Sequence, residues 1–249
     1  VSKDLHPLCQ TFIKAGEECG VAFNADFNGK TQEGFGYYQN TLKDGIRMSA
    51  ARAYLWPARK RSNVTVVTHA HTTRILFQDK KAIGVEYRRK GKIEKALAGR
   101  EVILSAGAIN TPQLLNLSGV GDAAHLKSQN IDVLQDIPAV GQNMQDHLAI
   151  DFLYRVKVPT LNQQLRPFFG KLRYGLQYLL TRRGPLSLGV NQAGGFVKTN
   201  NHTPKPNMQI FFSPVSYTKA PPGKRPMMTP DPFPGILLSA QPTRPMSHG

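Results

Sequence analysis

The sequence predicts a mixed α/β chain, and three observations carry that reading. Residues 101–121 spell a strand, a small-residue turn and a short helix in one line. Residues 63–104 alternate apolar runs with polar turns at strand spacing. Beyond about residue 150 the chain becomes basic and proline-rich, with fourteen of the eighteen prolines in residues 151–249. A length of 249 residues is enough for one large domain or two small ones.

The chain opens on a helix pattern, with Leu8, Phe12, Ala15 and Cys19 on one face and Gly20 as its stop. Asn24 to Asn40 is rich in Gly, Asn and aromatic residues and reads as irregular chain with a turn at Asn28-Gly29. Ser49 to Leu55 is short, Ala-rich and helical, and Pro57 ends it or begins the next turn, which places Arg47 and Ser49 near a helix start. Cys9 and Cys19, ten residues apart in one helical segment, would stand about 15 Å apart. A disulfide needs Cα atoms within roughly 7 Å, so both are expected to be free, partly buried thiols.

Five strands follow: Val64 to Val67, Thr72 to Phe77, Ala82 to Arg88, Lys92 to Leu97 and Arg100 to Ser105. Gln78-Asp79-Lys80-Lys81 and Lys90-Gly91-Lys92 are the polar turns that make the middle three an antiparallel meander. The outer two carry denser apolar runs, as suits a sheet buried on both faces. After the last strand, Ser105-Ala106-Gly107 removes bulk where the chain turns. Thr111 can cap the next helix, Pro112 fits its first turn, and Gly119 and Gly121 stop it. Small residues between a strand end and a helix start admit close backbone approach, and helix N–H groups there favour an anion. The geometry suits a phosphate-bearing cofactor. A further helix runs from Asp122, its cap, to Gln129.

In the second half, Leu165 to Thr181 reads as one helix with Phe169, Leu172, Leu176, Leu179 and Leu180 on its apolar side and Gly184-Pro185 as terminator. Met208 to Phe212 and Ile236 to Ala240 read as strands, and Pro214 to Pro234 between them as an exposed loop or lid.

The formal net charge is +16, and residues 151–249 carry thirteen bases against only Asp151 and Asp231. Such a surface attracts polyanions, but the runs of three bases, Arg59-Lys60-Arg61 and Arg88-Arg89-Lys90, sit at turns. They read as solvated loop charge, so no nucleic-acid partner is expected. No apolar run is long enough to span a bilayer, and Val1-Ser2-Lys3-Asp4 does not resemble a signal peptide. With no initiator Met, the start is expected to have been cut or processed, which leaves the compartment open, secretion included.

Several tempting sites are weak. Gly119-Val120-Gly121-Asp122-Ala123-Ala124 fits a G-x-G-x-x-A pattern but follows a helix instead of a strand, so it cannot make a dinucleotide turn. His69 and His71 alternate on a strand and face one side, but with no Cys or carboxylate cluster nearby no metal site is expected. His147 after Asp146 reads as a hydrogen-bonded structural pair, with Asp146 orienting the ring, ahead of a proton shuttle.

The segment from Gly107-Ala108-Ile109-Asn110-Thr111-Pro112-Gln113-Leu114-Leu115 to Ser118-Gly119-Val120-Gly121 resembles the second signature of the glucose-methanol-choline (GMC) family of FAD-dependent alcohol oxidoreductases. Asp26-Phe27-Asn28-Gly29, Gly45 to Leu55, Ser62 to Thr68, Arg74 to Phe77, Ala82 to Tyr87 and Val140 to His147 are similar to further family segments, in order. Gly34-Phe35-Gly36 most resembles the glucose dehydrogenase-like branch. The resemblance implies an internal fragment with part of a Rossmann-like FAD-binding domain with an antiparallel meander (residues 45–148) and part of a sheet-containing substrate domain (149–249), residues 1–44 covering the boundary. It implies FAD as cofactor, oxidation of CH–OH groups of small-molecule alcohols or sugars, and electrons passed to oxygen or a quinone-like acceptor.

Four cofactor-binding positions carry over. Thr72, where the family more often has Val, meets the adenine through its backbone, and Ser105, Ala106 and Gly107 form the turn beside the AMP half. No catalytic residue carries over: the family's glycine loop and proton-accepting His are expected outside these 249 residues, and His248 is not that base. The chain alone is expected to be colourless and inactive. The competing reading is a non-catalytic binding protein that keeps the scaffold and uses its basic, Pro-rich half as a surface.

Overall fold

The computed structural model describes residues 4–218 and 229–249. The chain divides into two compact units, one of Val1–Pro57 with His147–Pro245, the other of Ala58–Asp146 with Met246–Gly249.

The first unit packs helix α1 (Leu8–Glu18) on an antiparallel sheet of five strands. They are β1 (Gly34–Tyr37), β5 (Ile150–Arg155), β6 (Ala193–Val197), β7 (Met208–Ser213) and β8 (Gly235–Pro242), in the spatial order β1-β6-β7-β8-β5. Strands β7 and β8 appear where the alternation places them. Leu8 and Phe12 face the core with Cys9, Ala193 and Phe212. Phe12 stacks on Phe212 with centroids 4.9 Å apart and lies 5.0 Å from Phe35. The buried face of α1 is rotated from the expected one: Cys9, Ile13 and Gly16 are buried, while Ala15 and Cys19 are exposed. The cause is steric, because a Cβ on Gly16 would lie 2.0 Å from the Phe35 ring, so the absent side chain sets which side meets the sheet. Both thiols are free, and burial pushes that of Cys9 up to about 12.

The Asn28-Gly29 turn forms, its Asn28 N–H donating to the Asp26 carboxylate at 2.9 Å. Residues Ala51–Leu55 form a π-type turn that runs on into Trp56–Ala58, so Pro57 lies inside the helical segment and does not end it. Pro57 offers no N–H to the turn before it. Ser49 is at the start, its Oγ accepting from the Arg52 N–H at 3.3 Å.

The expected single helix over 165–181 is two helices, α4 (Leu161–Leu165) and α5 (Phe168–Thr181). Pro167 divides them: it offers no N–H and disfavours helical backbone at the residue before it. Helix α5 stops at Arg182, which is left-handed (φ 57°), two residues ahead of Gly184-Pro185. Its apolar side faces solvent; Phe169 is 80% exposed and Leu180 83%.

The described flanks of the Pro214 to Pro234 stretch are not an exposed loop. Pro214, Val215 and Ser216 are buried, and Tyr217–Thr218 pairs antiparallel with Thr229–Pro230. The buried Asn162 side chain holds both flanks, donating to Ser216 O at 2.9 Å and Asp231 O at 3.2 Å and accepting from the Ser216 N–H at 3.0 Å. Residues 219–228, the centre of that expected lid, lie outside the described residues.

The second unit holds the meander β2 (His71–Gln78), β3 (Lys81–Arg89) and β4 (Lys92–Leu97), with helices α2 (Gly107–Leu117) and α3 (Ala123–Ser128). The meander turns at Asp79 (φ 52°) and at Lys90-Gly91 (φ 49° and 78°), as the polar residues predict. Asp122 caps α3 through its carboxylate, 2.7 Å from the His125 N. The two outer strands do not form: residues 64–67 and 100–105 make no ladder, and Ile103 is 76% exposed. A strand is made by its neighbours' hydrogen bonds, and the apolar run alone does not supply them.

Candidate functional site

The candidate site forms where the start of β2, the segment 102–106 and the start of α2 meet. Ser118 fixes the helix against the meander: its Oγ donates to Leu114 O at 2.6 Å and accepts from the Ile75 N–H at 2.8 Å. Helix α2 starts at Gly107, four residues before the expected cap. Thr111 lies inside the helix and its Oγ1 accepts from the Ala106 N–H at 3.1 Å, so the hydroxyl satisfies the turn from within instead of capping from outside. Pro112 therefore also lies in the helix interior. The first helical turn carries neither an acidic residue nor a side-chain cap, so its N–H groups remain available to an anion.

A cavity of about 440 Å³ opens at this junction, lined by Thr72, Ser105 and Ala106 together with His71, Asn110 and Gln113. That volume lies within the range of small-molecule sites. Three of the four cofactor positions predicted from sequence thus share one cavity. Gly107, the fourth, follows Ala106 with φ 90°, and no heavy atom lies within 4 Å of where its Cβ would stand. A backbone this bare admits close approach by a ligand. The lining contains no Lys, Arg, Asp or Glu, so any recognition of a negative group there falls to backbone amides. These observations fit the AMP half of a dinucleotide.

The other sequence candidates separate. His69 has φ 55° and precedes β2, whereas His71 is that strand's first residue, so the two do not share a strand face. Among the described residues no three His, Cys, Asp or Glu side chains come together as a metal site. Gly121 serves packing: Val120–Gly121 pairs parallel with Gln135–Asp136, and a Cβ on Gly121 would lie 1.9 Å from Asn116 Oδ1.

Sequence reasoning missed a polar row on the sheet of the first unit. The Tyr38 hydroxyl donates to Ile210 O at 2.9 Å and accepts from Gln209 Nε2 at 3.2 Å. Gln209 Oε1 accepts from Gln241 Nε2 at 3.0 Å, and that nitrogen lies 3.5 Å from His147 Nδ1. Burial pushes the Tyr38 phenol up to about 12, so it stays protonated at neutral pH. The signal that could have found this row is alternation: Gln209 and Gln241 are the polar members of apolar strands, and their register pairs them directly.

A family model described as GMC oxidoreductase matches residues 1–149. Among curated relatives, an alcohol dehydrogenase [acceptor] of Pseudomonas putida is 46% identical over 216 residues, covering 86% of this chain and 39% of the relative. An oxygen-dependent choline dehydrogenase of Staphylococcus aureus (strain MSSA476) is 43% identical, covering 85% and 37%. The chain therefore spans about two fifths of the length of these relatives. Among solved structures, a formate oxidase matches with a TM-score of 0.83 at 22% identity over 99% of this chain and 46% of that one. Pyridoxine 4-oxidase from Mesorbium loti matches with a TM-score of 0.77 at 23% identity over 100% of this chain and 44% of that one. By the extent of the family match and the order of its motifs, this chain belongs to the GMC oxidoreductase family.

Proposed function

We propose that this chain supplies nucleotide-positioning structure to an FAD-dependent oxidoreductase that acts on CH–OH groups of small alcohols or sugars. The observation that carries the proposal is the convergence of Thr72, Ser105 and Ala106 on one cavity beside the open backbone of Gly107. The chemistry supplied by a bound flavin is acceptance of a hydride from the carbinol carbon and onward transfer of electrons to oxygen or a quinone-like acceptor.

The contribution of these residues is binding and orientation. Thr72, held in register opposite Tyr87, offers main-chain groups to the adenine. Ala106 and Gly107 keep side chains out of the way, and the uncapped start of α2 presents N–H dipoles to the phosphate. None of the four moves a proton or touches the reacting carbon in this reading. The meander and the Ser118 clamp hold them in place.

The test is a titration of the 15N-labelled chain with AMP. The amide signals of Thr72, Ser105, Ala106 and Gly107 are expected to shift together. In Ala106→Asp the carboxylate beside the phosphate should weaken binding about tenfold. Shifts confined to other residues, or an affinity indifferent to that carboxylate, would remove the proposal.

A further inference from the structure

Helix α5 is the longest of the described helices, yet none of its fourteen residues is buried. Successive residues step about 100° around a helix. Phe168, Phe169, Leu172, Leu176, Leu179 and Leu180 therefore fall within one arc of about 120°. All six are exposed, from 50% for Leu172 and Leu176 to 83% for Leu180. The opposite side holds the helix to its unit: Tyr174, Gln177 and Tyr178 are half-buried, and the Tyr178 hydroxyl donates to Gly45 O at 3.1 Å. The outward apolar stripe is thus fixed in direction by an anchored back.

The charged residues of the helix and its C-terminal flank are all basic, although Asp4 and Asp44 share a pocket with Arg182 and Arg183. Lys171 flanks one edge and Arg173 the other, Arg182 and Arg183 follow the C-terminal end, and no Asp or Glu occurs anywhere from residue 152 to residue 230. Arg173 lies over the Tyr174 ring at 5.6 Å and Arg182 over Tyr178 at 5.1 Å. Both keep their stems along the helix while the charge remains at its rim. An apolar stripe flanked along its edges by Lys171 and Arg173 is complementary to a surface that is apolar beneath and anionic above. The helix is about 21 Å long, against about 30 Å for a bilayer core, so it would lie in the interface and not cross it. No described helix is long and apolar enough to span.

We propose that the outward face of α5, with Lys171 and Arg173 at its edges, docks on the surface of an anionic lipid bilayer. The proposal rests on this helix alone and is independent of the nucleotide reading. Insertion of Phe169 and Leu180 supplies depth, and Lys171 and Arg173 supply selectivity for negative headgroups.

The test is flotation of the full chain with vesicles of pure phosphatidylcholine and with vesicles containing phosphatidylglycerol. Binding is expected to the second kind only and to weaken at high salt. Phe169→Asp with Leu180→Asp should lower the bound fraction about tenfold, and Lys171→Glu with Arg173→Glu by a similar factor. Met246→Asp, at a 90% exposed apolar residue elsewhere, should change nothing. Hydrogen exchange with the unsubstituted chain provides a readout independent of how the variants fold: vesicles should slow exchange across residues 166–183 and nowhere else. Equal binding to both vesicle types, protection elsewhere, or no binding would overturn the proposal. So would lipid-free self-association that Phe169→Asp with Leu180→Asp abolishes, since it would assign the face to a second copy.

Discussion

Two helix starts in this molecule make opposite use of the same unsatisfied backbone. At the start of α4, Thr160 closes a capping box: its hydroxyl accepts from the Asn162 N–H at 3.4 Å, and Gln163 Oε1 accepts from the Thr160 N–H at 2.9 Å. The same hydroxyl also accepts from the buried Gly235 N–H at 3.2 Å. At the start of α2, Ala106 has no side chain with which to cap, the first turn has no acid, and Gly107 stands in open space. A helix start satisfied by its own chain is a structural joint. One left open beside a cavity is suited to a ligand.

Asn162→Ala should be the most damaging change at the closed helix start. That change leaves the Ser216 N–H and carbonyl without their Asn162 partners in a site where Asn162 is 1% exposed. It should cost about 2–4 kcal/mol, measurable as a lowered midpoint in urea. Thr160→Ala removes the cap but leaves Asn162, and should cost about 1–2 kcal/mol by the same measurement. At the open start the sign reverses: Ala106→Asp places a carboxylate by the α2 amides and should raise stability by about 0.5 kcal/mol while weakening AMP. A loss of stability there would show that the α2 start is a joint like that of α4.

The smallest effect concerns the meander that supports the open start. Glu86 accepts from the Thr73 hydroxyl at 3.0 Å and pairs with Arg74 at 3.2 Å, and these partners, Thr73 first, hold its carboxyl below the usual range. A depressed folded-state value contributes stability that is present above the unfolded value and is lost as pH falls through the folded one. Thr73→Val should therefore lower the thermal midpoint slightly at neutral pH. The difference from the unsubstituted chain should shrink as the solution is acidified below about pH 4.

Much of the candidate site was legible. The Ser105-Ala106-Gly107 bend, the small-residue turn and the short helix were readable because each depends on residues adjacent in sequence. Where α2 begins was not, since Thr111 can cap from outside or bond back to Ala106 from within, and only the backbone path decides between them. The row Tyr38-Gln209-Gln241-His147 was hidden for a different reason. Its members come from four separate segments and meet only through sheet register.

By itself, the sequence determined the local grammar of this protein. The meander turns, the Asp122 cap and the alternation of β7 and β8 follow from backbone preferences and side-chain periods within a few residues. Only the tertiary structure decided which apolar faces are covered. Helix α1 and helix α5 are both amphipathic in sequence, yet the first buries Cys9 and Ile13 and the second buries nothing. A pattern states that a face is apolar; burial also needs a neighbour of complementary shape, which Phe35 provides over Gly16 and the described residues do not provide over Phe169 and Leu180.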